Sequence, residues 1–339
     1  MICTPLVLGL KSNDFNKKEI DIINKIMPFG LILFSRNIVN KKQLKNYIRD
    51  IKSEINSDIH ILIDQEGGPV QRLRPPDWRN YPSFKLLGDI YNSSEEDSVR
   101  LSYCSGRLIS DELSDLGIDI NCSPCIDVRK NYTNNFLVNR IFSNEPEVIS
   151  KLGSSMINGF RVGGTIPILK HIPGHGRSLL DSHKILPEVE AKIPDLLVDD
   201  FVPFNMLNTI PMAMTAHITY SSIDNIPATF SKKVIKLIRE SIKFKGLIIT
   251  DDINMGALKG SLEEKVFNSL NAGCDLVLDC SSDNEGFLKF LSKIPKVDRS
   301  IIDKALYNFK ISQKDEDFET IDEVINEYYS ILHKYKIIL

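Results

Sequence analysis

The chain has 339 residues, of which 42% are hydrophobic and 26% are charged, and its formal net charge is -3. This composition is typical of an ordinary globular protein with a large core, and it argues against the disordered and fibrous classes. Because the chain carries no excess of basic residues and no sustained Lys/Arg stripe, we expect no nucleic-acid partner.

Short apolar runs alternate along the chain with longer segments of helical periodicity, which is the pattern of βα units. Eight runs are predicted strands, at 5–10, 30–34, 59–64, 118–128, 167–170, 211–217, 246–251 and 274–279. Eight segments are predicted helices, at 16–28, 42–54, 95–116, 145–162, 195–208, 231–243, 262–271 and 283–293. The strands are nearly continuous in Ile, Leu and Val, as expected where helices cover both faces of a parallel sheet. The predicted fold class is therefore α/β, a (β/α)8 TIM-type barrel in a single domain.

The C-terminal region differs from the βα units. Charged residues crowd 313–317 and predict a solvated turn before a helix near 319–336. We expect a barrel domain over residues 1–313 and a helical tail over residues 314–339 that packs on the outside of the barrel.

The N-terminus and the cysteines point to a reducing compartment. The first ten residues lack the basic start of a secretory signal, and their apolar run is too short to cross a bilayer. Six cysteines in a chain of this length do not predict a disulfide scaffold. Cys122 and Cys125 have the spacing of a redox or zinc pair, but they lie in an apolar run and no second such pair exists. We expect a cytoplasmic protein with reduced core thiols and no membrane contact.

Polar residues follow several predicted strands at their carboxyl ends. The third strand ends at Asp64, the fifth at Lys170 and His171, the sixth at His217 and the seventh at Asp251. Because the carboxyl ends of all barrel strands meet at one face, these residues predict an active-site rim there.

Several motifs resemble those of glycoside hydrolase family 3 β-N-acetylglucosaminidases. The most specific is K-H-I-P-G-H-G at 170–176, followed by D-S-H at 181–183. Others agree in order, namely D-Q-E-G-G at 64–68, M-T-A-H at 214–217, P-A-T-F-S at 227–231 and T-D-D-I-N-M at 250–255. The resemblance spans roughly residues 1–295, and within the family it is strongest to the single-domain, cytoplasmic NagZ type that recycles cell-wall fragments.

The resemblance implies a retaining exo-β-N-acetylglucosaminidase that releases GlcNAc from peptidoglycan-derived muropeptides, the GlcNAc-(1,6-anhydro)MurNAc peptides. Asp251 matches the family's nucleophile, which forms a covalent glycosyl-Asp intermediate, and Asp181 and His183 match its proton-transfer dyad. Glycosidases usually employ two carboxylates. A histidine can replace one of them because a neighbouring carboxylate orients the ring and raises its pKa enough to donate a proton. The expected protein needs no cofactor and no metal, and it is a monomer.

For the sugar hydroxyls, the resemblance implies Asp64, Arg72, Lys170 and His171 as binding residues. Arg140 lies where the family places another sugar-binding arginine. The surrounding N-R-I-F-S-N at 139–144 departs from the family pattern, so a structural ion pair remains the alternative for this arginine.

Structural roles are predicted for three further polar residues, and mobility is predicted for one loop. Asp252 is expected to accept a hydrogen bond or cap a helix, His175 to shape its loop, and His217 either to line the pocket or to lie in the core. The loop over 171–186 is long and contains two glycines, which favours a mobile segment that closes over bound sugar.

Three other functions remain open at this point. A β-N-acetylglucosaminide phosphorylase fits the same fold, because a neutral histidine lets phosphate approach an anomeric centre that a carboxylate would protect. A metal-dependent barrel hydrolase would use His171, His175, His183 and Asp181 as ligands, although their spacing lacks a compact metal motif. A non-catalytic sugar-binding protein is the third alternative.

Overall fold

The computed structural model describes residues 2–55, 58–311 and 319–339. Its centre consists of eight parallel strands in which nearly every side chain is buried. The strands are Ile2–Gly9, Pro28–Leu33, His60–Ile63, Ile120–Asn121, a fifth strand in two segments, Ile166–Pro167 and Leu169–Ile172, then Met212–Thr215, Leu247–Ile249 and Val277–Asp279. Burial on both faces explains why their sequences are nearly continuous in aliphatic residues.

The eight strands form a closed ring. Each of the first six strands pairs in parallel with the next, and the last strand pairs in parallel with the first. The seventh and eighth strands are joined by a parallel bridge between Ile249 and Leu276. This closed order confirms the predicted (β/α)8 fold class.

Helices follow the strands and cover the outside of the ring. They are Lys17–Ile26, Lys41–Glu54, Phe84–Tyr91, Glu95–Leu116, Asn135–Val138, Pro146–Gly163, Ile193–Leu197, Val202–Met206, Lys232–Glu240, Leu262–Ala272, Glu285–Leu288, Arg299–Ile311 and Ile321–Lys334. Short 3-10 turns occupy Ser35–Asn37, Ala228–Phe230 and Leu291–Lys293.

Three predicted elements were wrong in detail. The predicted helix over 195–208 is two short helices, because Pro203 has no N–H for an internal helical bond and lies instead in the first turn of a new helix. The predicted strand over 118–128 is regular only at Ile120–Asn121, since Pro124 interrupts the ladder. The predicted helix over 283–293 is one short helix and a 3-10 turn.

Several short elements were not predicted at all. The segments Gln65–Gly67 and Val70–Gln71 form an antiparallel pair after the third strand. Glu188–Val189 pairs in parallel with Thr219–Tyr220, and Val297–Asp298 pairs with the start of the first strand. At two or three residues each, such strands are too short to show a period in sequence.

The C-terminal helix Ile321–Lys334 packs against the long helix Glu95–Leu116, outside the ring of strands. Tyr328 is fully buried in this contact, and its hydroxyl donates to the Asn80 carbonyl at 3.1 Å. The predicted boundary between residues 313 and 314 and the predicted turn over 313–317 lie outside the described residues.

Most of the cysteines lie in the core. Cys3, Cys104, Cys122, Cys125 and Cys274 are buried and Cys280 is half-buried, and all six carry free thiols. Within the ranges that the structure describes, no helix combines the length and the apolar character needed to cross a membrane.

Candidate active site

A cavity of about 310 Å³ opens at the carboxyl ends of the strands. Two larger cavities, of about 1100 and 780 Å³, lie against the C-terminal helix and at the opposite end of the barrel. The largest is lined by His333 and several carboxylates, but neither cavity lies at the carboxyl ends of the strands, where the motif residues meet, so size does not identify the site. The smaller cavity is lined by charged and histidine side chains from four strand ends, Asp64, Arg72, Arg140, Lys170, His171, His175, His183 and Asp251. We therefore place the candidate active site there.

One wall of the cavity is a charge cluster around Asp64. Arg72 donates from Nη2 to Oδ2 of Asp64 at 3.0 Å, and Lys170 donates from Nζ to Oδ1 at 3.1 Å. Burial by itself would raise the pKa of Asp64, but the charges of Lys170 and Arg72 lower it overall. These hydrogen bonds hold all three side chains in fixed positions, as recognition of a ligand with several polar groups requires.

Glu66 lies beneath this wall, and sequence reasoning assigned it no role. Its carboxylate accepts two bonds from Arg140, at 3.0 and 2.8 Å, and it lies 2.6 Å from Nζ of Lys170. Only 2% of the side chain is exposed, so Glu66 holds the two cations rather than a ligand. Arg140 forms the structural ion pair that was the alternative, and it also lines the cavity, so its sugar-binding role stays a prediction.

Asp251 forms the opposite wall, directly after the seventh strand. Its Oδ2 lies 4.0 Å from Nε2 of His171, and its Oδ1 accepts the backbone N–H of Asp252 at 2.8 Å. Burial would raise the pKa of Asp251, but the nearby imidazoles of His171 and His217 and the Asp252 N–H lower it. With 20% of its side chain exposed to the cavity, Asp251 has the ionised, accessible carboxylate that a nucleophile needs.

His217 and Asp252 support Asp251 from behind. His217 is fully buried, and its ring nitrogens bond to the Thr229 hydroxyl at 2.7 Å and to the Asp252 carbonyl at 3.0 Å. Of its two predicted positions, the core position is therefore the one observed. The Asp252 carboxylate accepts from the backbone N–H groups of Asn254 and Cys280, so this residue fixes the turn that follows Asp251.

The predicted dyad forms a hydrogen-bonded pair on the loop after the fifth strand. Oδ1 of Asp181 lies 2.8 Å from Nδ1 of His183, and it also accepts the His183 backbone N–H at 3.0 Å. Burial would raise the pKa of Asp181, but its bonds from His183 lower it. The His183 side chain is 58% exposed and lines the cavity, whereas Asp181 lies behind the ring. This carboxylate can therefore fix the ring orientation and stabilise the charged imidazole.

A buried network around Asp127 joins the two histidines of the K-H-I-P-G-H-G motif. Oδ2 of Asp127 lies 2.8 Å from Nδ1 of His171, and Oδ1 accepts the His175 backbone N–H at 2.6 Å. Nε2 of His175 lies 3.0 Å from the Ser182 hydroxyl, between the two members of the dyad. His175 thus shapes the loop, as predicted, and it also lines the cavity. The sequence offered a signal for Asp127 that was not used, because it too lies near the end of a predicted strand.

This network makes the stability of the protein depend on pH. Burial and the neighbouring His171 lower the pKa of His175 from 6.5 to about 4. Between these two pH values His175 is protonated in the unfolded chain but not in the folded chain. The stability that the neutral His175 ring contributes at neutral pH is therefore lost as the pH falls from about 6.5 to about 4. Between pH 7 and pH 5 we expect urea unfolding to show a loss on the order of 2 kcal/mol from this residue.

His175→Gln should flatten that part of the profile, even though the variant is less stable at every pH. Burial lowers the pKa of His217 as well, which leaves a residual slope. His333→Gln, on the exposed face of the C-terminal helix, is the matched control and should keep the wild-type profile. An unchanged slope in His175→Gln would contradict the prediction.

The structure does not gather the ligands that a metal-dependent hydrolase would need. In the described part of the chain, the one group with ligand atoms close enough to hold an ion is Cys125, Asp127 and His171, within 4.8 Å of one another. Among the described residues, the alternative ligand set of His171, His175, His183 and Asp181 does not form such a group. In the observed group the carboxylate oxygens already accept from His171 and His175, and burial raises the pKa of the Cys125 thiol well above its ordinary value. These three side chains fit a hydrogen-bonded support better than a metal centre.

The structure brings the sequence-predicted residues to one place. Seven of the eight line the cavity, and the eighth, Asp181, contacts His183 from outside it. Glu66, Asp127 and Phe136 were not assigned a role by sequence reasoning, although Glu66 stands inside the D-Q-E-G-G motif. Phe136 lies on a four-residue helix. Its ring is nearly perpendicular to the rings of His175 and His183, and the ring centroids are 5.6 and 5.7 Å apart. A helix this short gave no sequence signal.

Comparison with known proteins agrees with this arrangement. A family model described as the glycosyl hydrolase family 3 N-terminal domain matches residues 6–307. A β-hexosaminidase from Idiomarina loihiensis is 35% identical over 290 residues, which cover 84% of this chain and 86% of the relative.

Two solved structures are similar over nearly the whole chain. Native NagZ from Neisseria gonorrhoeae is 28% identical with a TM-score of 0.85, and the match covers 97% of this chain and 98% of that one. NagZ from Neisseria gonorrhoeae in complex with N-trifluoroacetyl-D-glucosamine is 27% identical with a TM-score of 0.83, and the match covers 98% and 97%.

Proposed function

Because this chain belongs to glycosyl hydrolase family 3, we propose that it removes GlcNAc from peptidoglycan-derived muropeptides, the GlcNAc-(1,6-anhydro)MurNAc peptides. The chain is a retaining exo-β-N-acetylglucosaminidase, a glycoside hydrolase of the β-N-acetylhexosaminidase type. The observation that carries the proposal is a cavity lined by both the Asp251 carboxylate and the His183 ring, which Asp181 holds through a hydrogen bond. A volume of about 310 Å³ suits a small ligand rather than a long polysaccharide groove.

In the proposed reaction, Asp251 attacks the anomeric carbon of the GlcNAc unit and forms the glycosyl-enzyme. His183, held by Asp181 through Nδ1, donates a proton to the glycosidic oxygen as the bond to the leaving sugar breaks. The neutral imidazole then removes a proton from the water that attacks the same carbon, which releases GlcNAc and regenerates the Asp251 carboxylate. The lowered pKa of Asp251 supports its role, because the attacking oxygen must be unprotonated.

The charged wall opposite Asp251 is proposed to bind the sugar. Asp64 can accept hydroxyl protons, while Arg72, Lys170 and Arg140 can donate to hydroxyl or acetamido oxygens. Because Asp64 and Glu66 hold these cations before any ligand arrives, little side-chain freedom is lost on binding. His171, with Nδ1 on Asp127, is proposed to donate from Nε2 to a hydroxyl close to Asp251.

The proposal extends to where and in what form the protein acts. Six free thiols support a reducing compartment, and we propose the cytoplasm. We also propose a monomer as the active form, because Asp251, His183 and the residues proposed to bind the sugar already meet at this cavity within the fold of one chain. Residues 314–339 are proposed to be a non-catalytic tail, because the described part of it contacts the outer helices rather than the cavity.

Trapping with 5-fluoro-N-acetylglucosaminyl fluoride tests the nucleophile, the mechanism and the glycone together. The fluorine slows both steps but leaves a good leaving group for the first, so the covalent intermediate should accumulate. We expect one label per chain, and peptide mass mapping should place it on Asp251.

A label on Asp252, or rapid turnover without any labelled enzyme, would contradict the proposal. Asp251→Ala is the control and should remain unlabelled. Repeating wild-type turnover of an aryl N-acetylglucosaminide in phosphate buffer tests the phosphorylase alternative, for which GlcNAc 1-phosphate rather than GlcNAc would be the product.

A further inference from the structure

The loop that carries His183 rests directly on the turn that follows Asp251. The backbone N–H of Gly256 donates to the His183 carbonyl at 2.9 Å, and the N–H of Ala257 donates to the Ser182 carbonyl at 3.2 Å. The two residues with complementary roles in the proposed reaction are therefore linked by a short backbone contact, in addition to their places on the barrel.

This contact requires a residue without a side chain at position 256. A Cβ on Gly256 would lie 2.4 Å from the Lys184 carbonyl oxygen and 2.9 Å from the His183 carbonyl oxygen. Both atoms are backbone, so no side-chain rotation can relieve the overlap. The φ of Gly256 lies outside the left-handed region, so an alanine there would be compatible with the local backbone and would act only through this contact.

The turn itself is rigidly tied to Asp251. Oδ1 of Asp251 accepts the N–H of Asp252, and the Asp252 carboxylate accepts the N–H groups of Asn254 and Cys280 at 3.1 and 3.0 Å. The N–H of Ile253 donates to the Leu278 carbonyl at 3.0 Å, on the eighth strand. The surface that receives the loop therefore moves little relative to the carboxylate.

The His183 ring, by contrast, depends on its loop for its position. Its side chain is 58% exposed, and its packing partner is the edge-on ring of Phe136 at 5.7 Å. The loop is held on its inner side by the contact between Ser182 and His175. A displacement of the peptide over 182–184 would carry the imidazole with it, because Asp181 belongs to the same loop and cannot hold the ring in place independently.

We propose that Gly256 is a positioning residue for proton transfer, setting the distance between His183 and the Asp251 nucleophile by letting the two loops touch. This inference rests on the proposed function for the roles of those two side chains. Gly256 contacts no group assigned to the substrate, and its effect is confined to the histidine side of the cavity.

Gly256→Ala should therefore impair the acid-dependent step selectively. For a substrate with a poor leaving group, such as the muropeptide, we expect kcat/KM to fall about tenfold or more. For a 2,4-dinitrophenyl N-acetylglucosaminide, which needs little acid assistance, kcat/KM should stay near the wild-type value. With this donor, added azide should yield glycosyl azide. The displaced His183 would activate water poorly, whereas azide attacks the glycosyl-enzyme without losing a proton.

Two further measurements report the contact itself. Trypsin should cleave after the exposed Lys184 faster in Gly256→Ala than in the wild-type protein. In the wild-type protein, the amide protons of Gly256 and Ala257 should exchange slowly with solvent, because both are hydrogen-bonded in the contact. This measurement does not depend on whether the variant folds. Gly286→Ala is the matched control, since its Cβ would meet only the flexible end of Leu262, and it should behave as wild type.

Equal losses on the two substrates in Gly256→Ala, or fast exchange at both wild-type amides, would overturn the inference. His183→Ala separates this failure from failure of the proposed function. If His183→Ala shows the leaving-group dependence and Gly256→Ala does not, the acid role stands and the positioning role falls. If neither shows it, the assignment of the acid falls first and the inference falls with it.

Discussion

Asp251→Ala is expected to lose hydrolysis of an aryl N-acetylglucosaminide by roughly 10⁴-fold or more in kcat. The reason is the loss of the proposed attacking oxygen itself, since the cavity walls and the groups proposed to bind the sugar stay in place. Steady-state kinetics with circular dichroism to confirm folding would measure the effect.

Asp252→Asn is the matched control for this change. The neighbouring carboxylate accepts backbone N–H groups and lies outside the cavity lining, and an amide oxygen can still accept those bonds. Its loss of activity should be far smaller than that of Asp251→Ala. Comparable losses in the two variants, or substantial activity in Asp251→Ala, would remove Asp251 from the nucleophile position.

His183→Ala should produce a loss that depends on the leaving group. With the muropeptide, whose departing sugar oxygen must be protonated, kcat/KM should fall by about 10²–10⁴-fold. With the 2,4-dinitrophenyl donor it should fall little, because that leaving group departs as a stable anion. Deglycosylation, which sets kcat for this donor, should be slow in the variant, and azide should raise kcat because an anion can attack the glycosyl-enzyme without a general base.

The control is His333→Ala, which changes an exposed histidine on the C-terminal helix. It should match the wild-type protein with both substrates. A loss of equal size on both substrates in His183→Ala would indicate binding or folding rather than proton transfer. Asp181→Asn should show the same selectivity in weaker form, because the ring would keep a hydrogen-bond partner but lose the stabilising charge.

Barrel strands could be read from sequence because each is buried on both faces by helices, which leaves an almost continuous aliphatic run. The same argument fails for Pro124 and Pro203. The missing N–H interrupts a strand at Pro124 and favours the start of a new helix at Pro203, within otherwise periodic patterns. It also fails for strands of two or three residues such as Gln65–Gly67, whose pairing depends on a neighbour and not on their own composition.

The site was predictable where a motif and a strand end coincide. Asp64, Lys170, His171 and Asp251 met both conditions, and each lines the cavity. Glu66 and Asp127 carry no ligand role of their own, and their importance comes from the cations and imidazoles that they hold. A sequence does not reveal such partners, because they lie at least 44 residues away along the chain.

The sequence by itself determined the fold class, the family and the residues that meet at one end of the barrel, because hydrophobic period and motif spacing are local properties of the chain. Tertiary structure alone decided how those residues act on one another. The imidazoles of His171 and His217 help to hold the pKa of Asp251 below its usual range, and the loop of His183 rests on the turn after Asp251 through a contact that Gly256 permits. Distances between loops set pKa values and steric fit, and no local pattern encodes a distance between segments separated by about seventy residues.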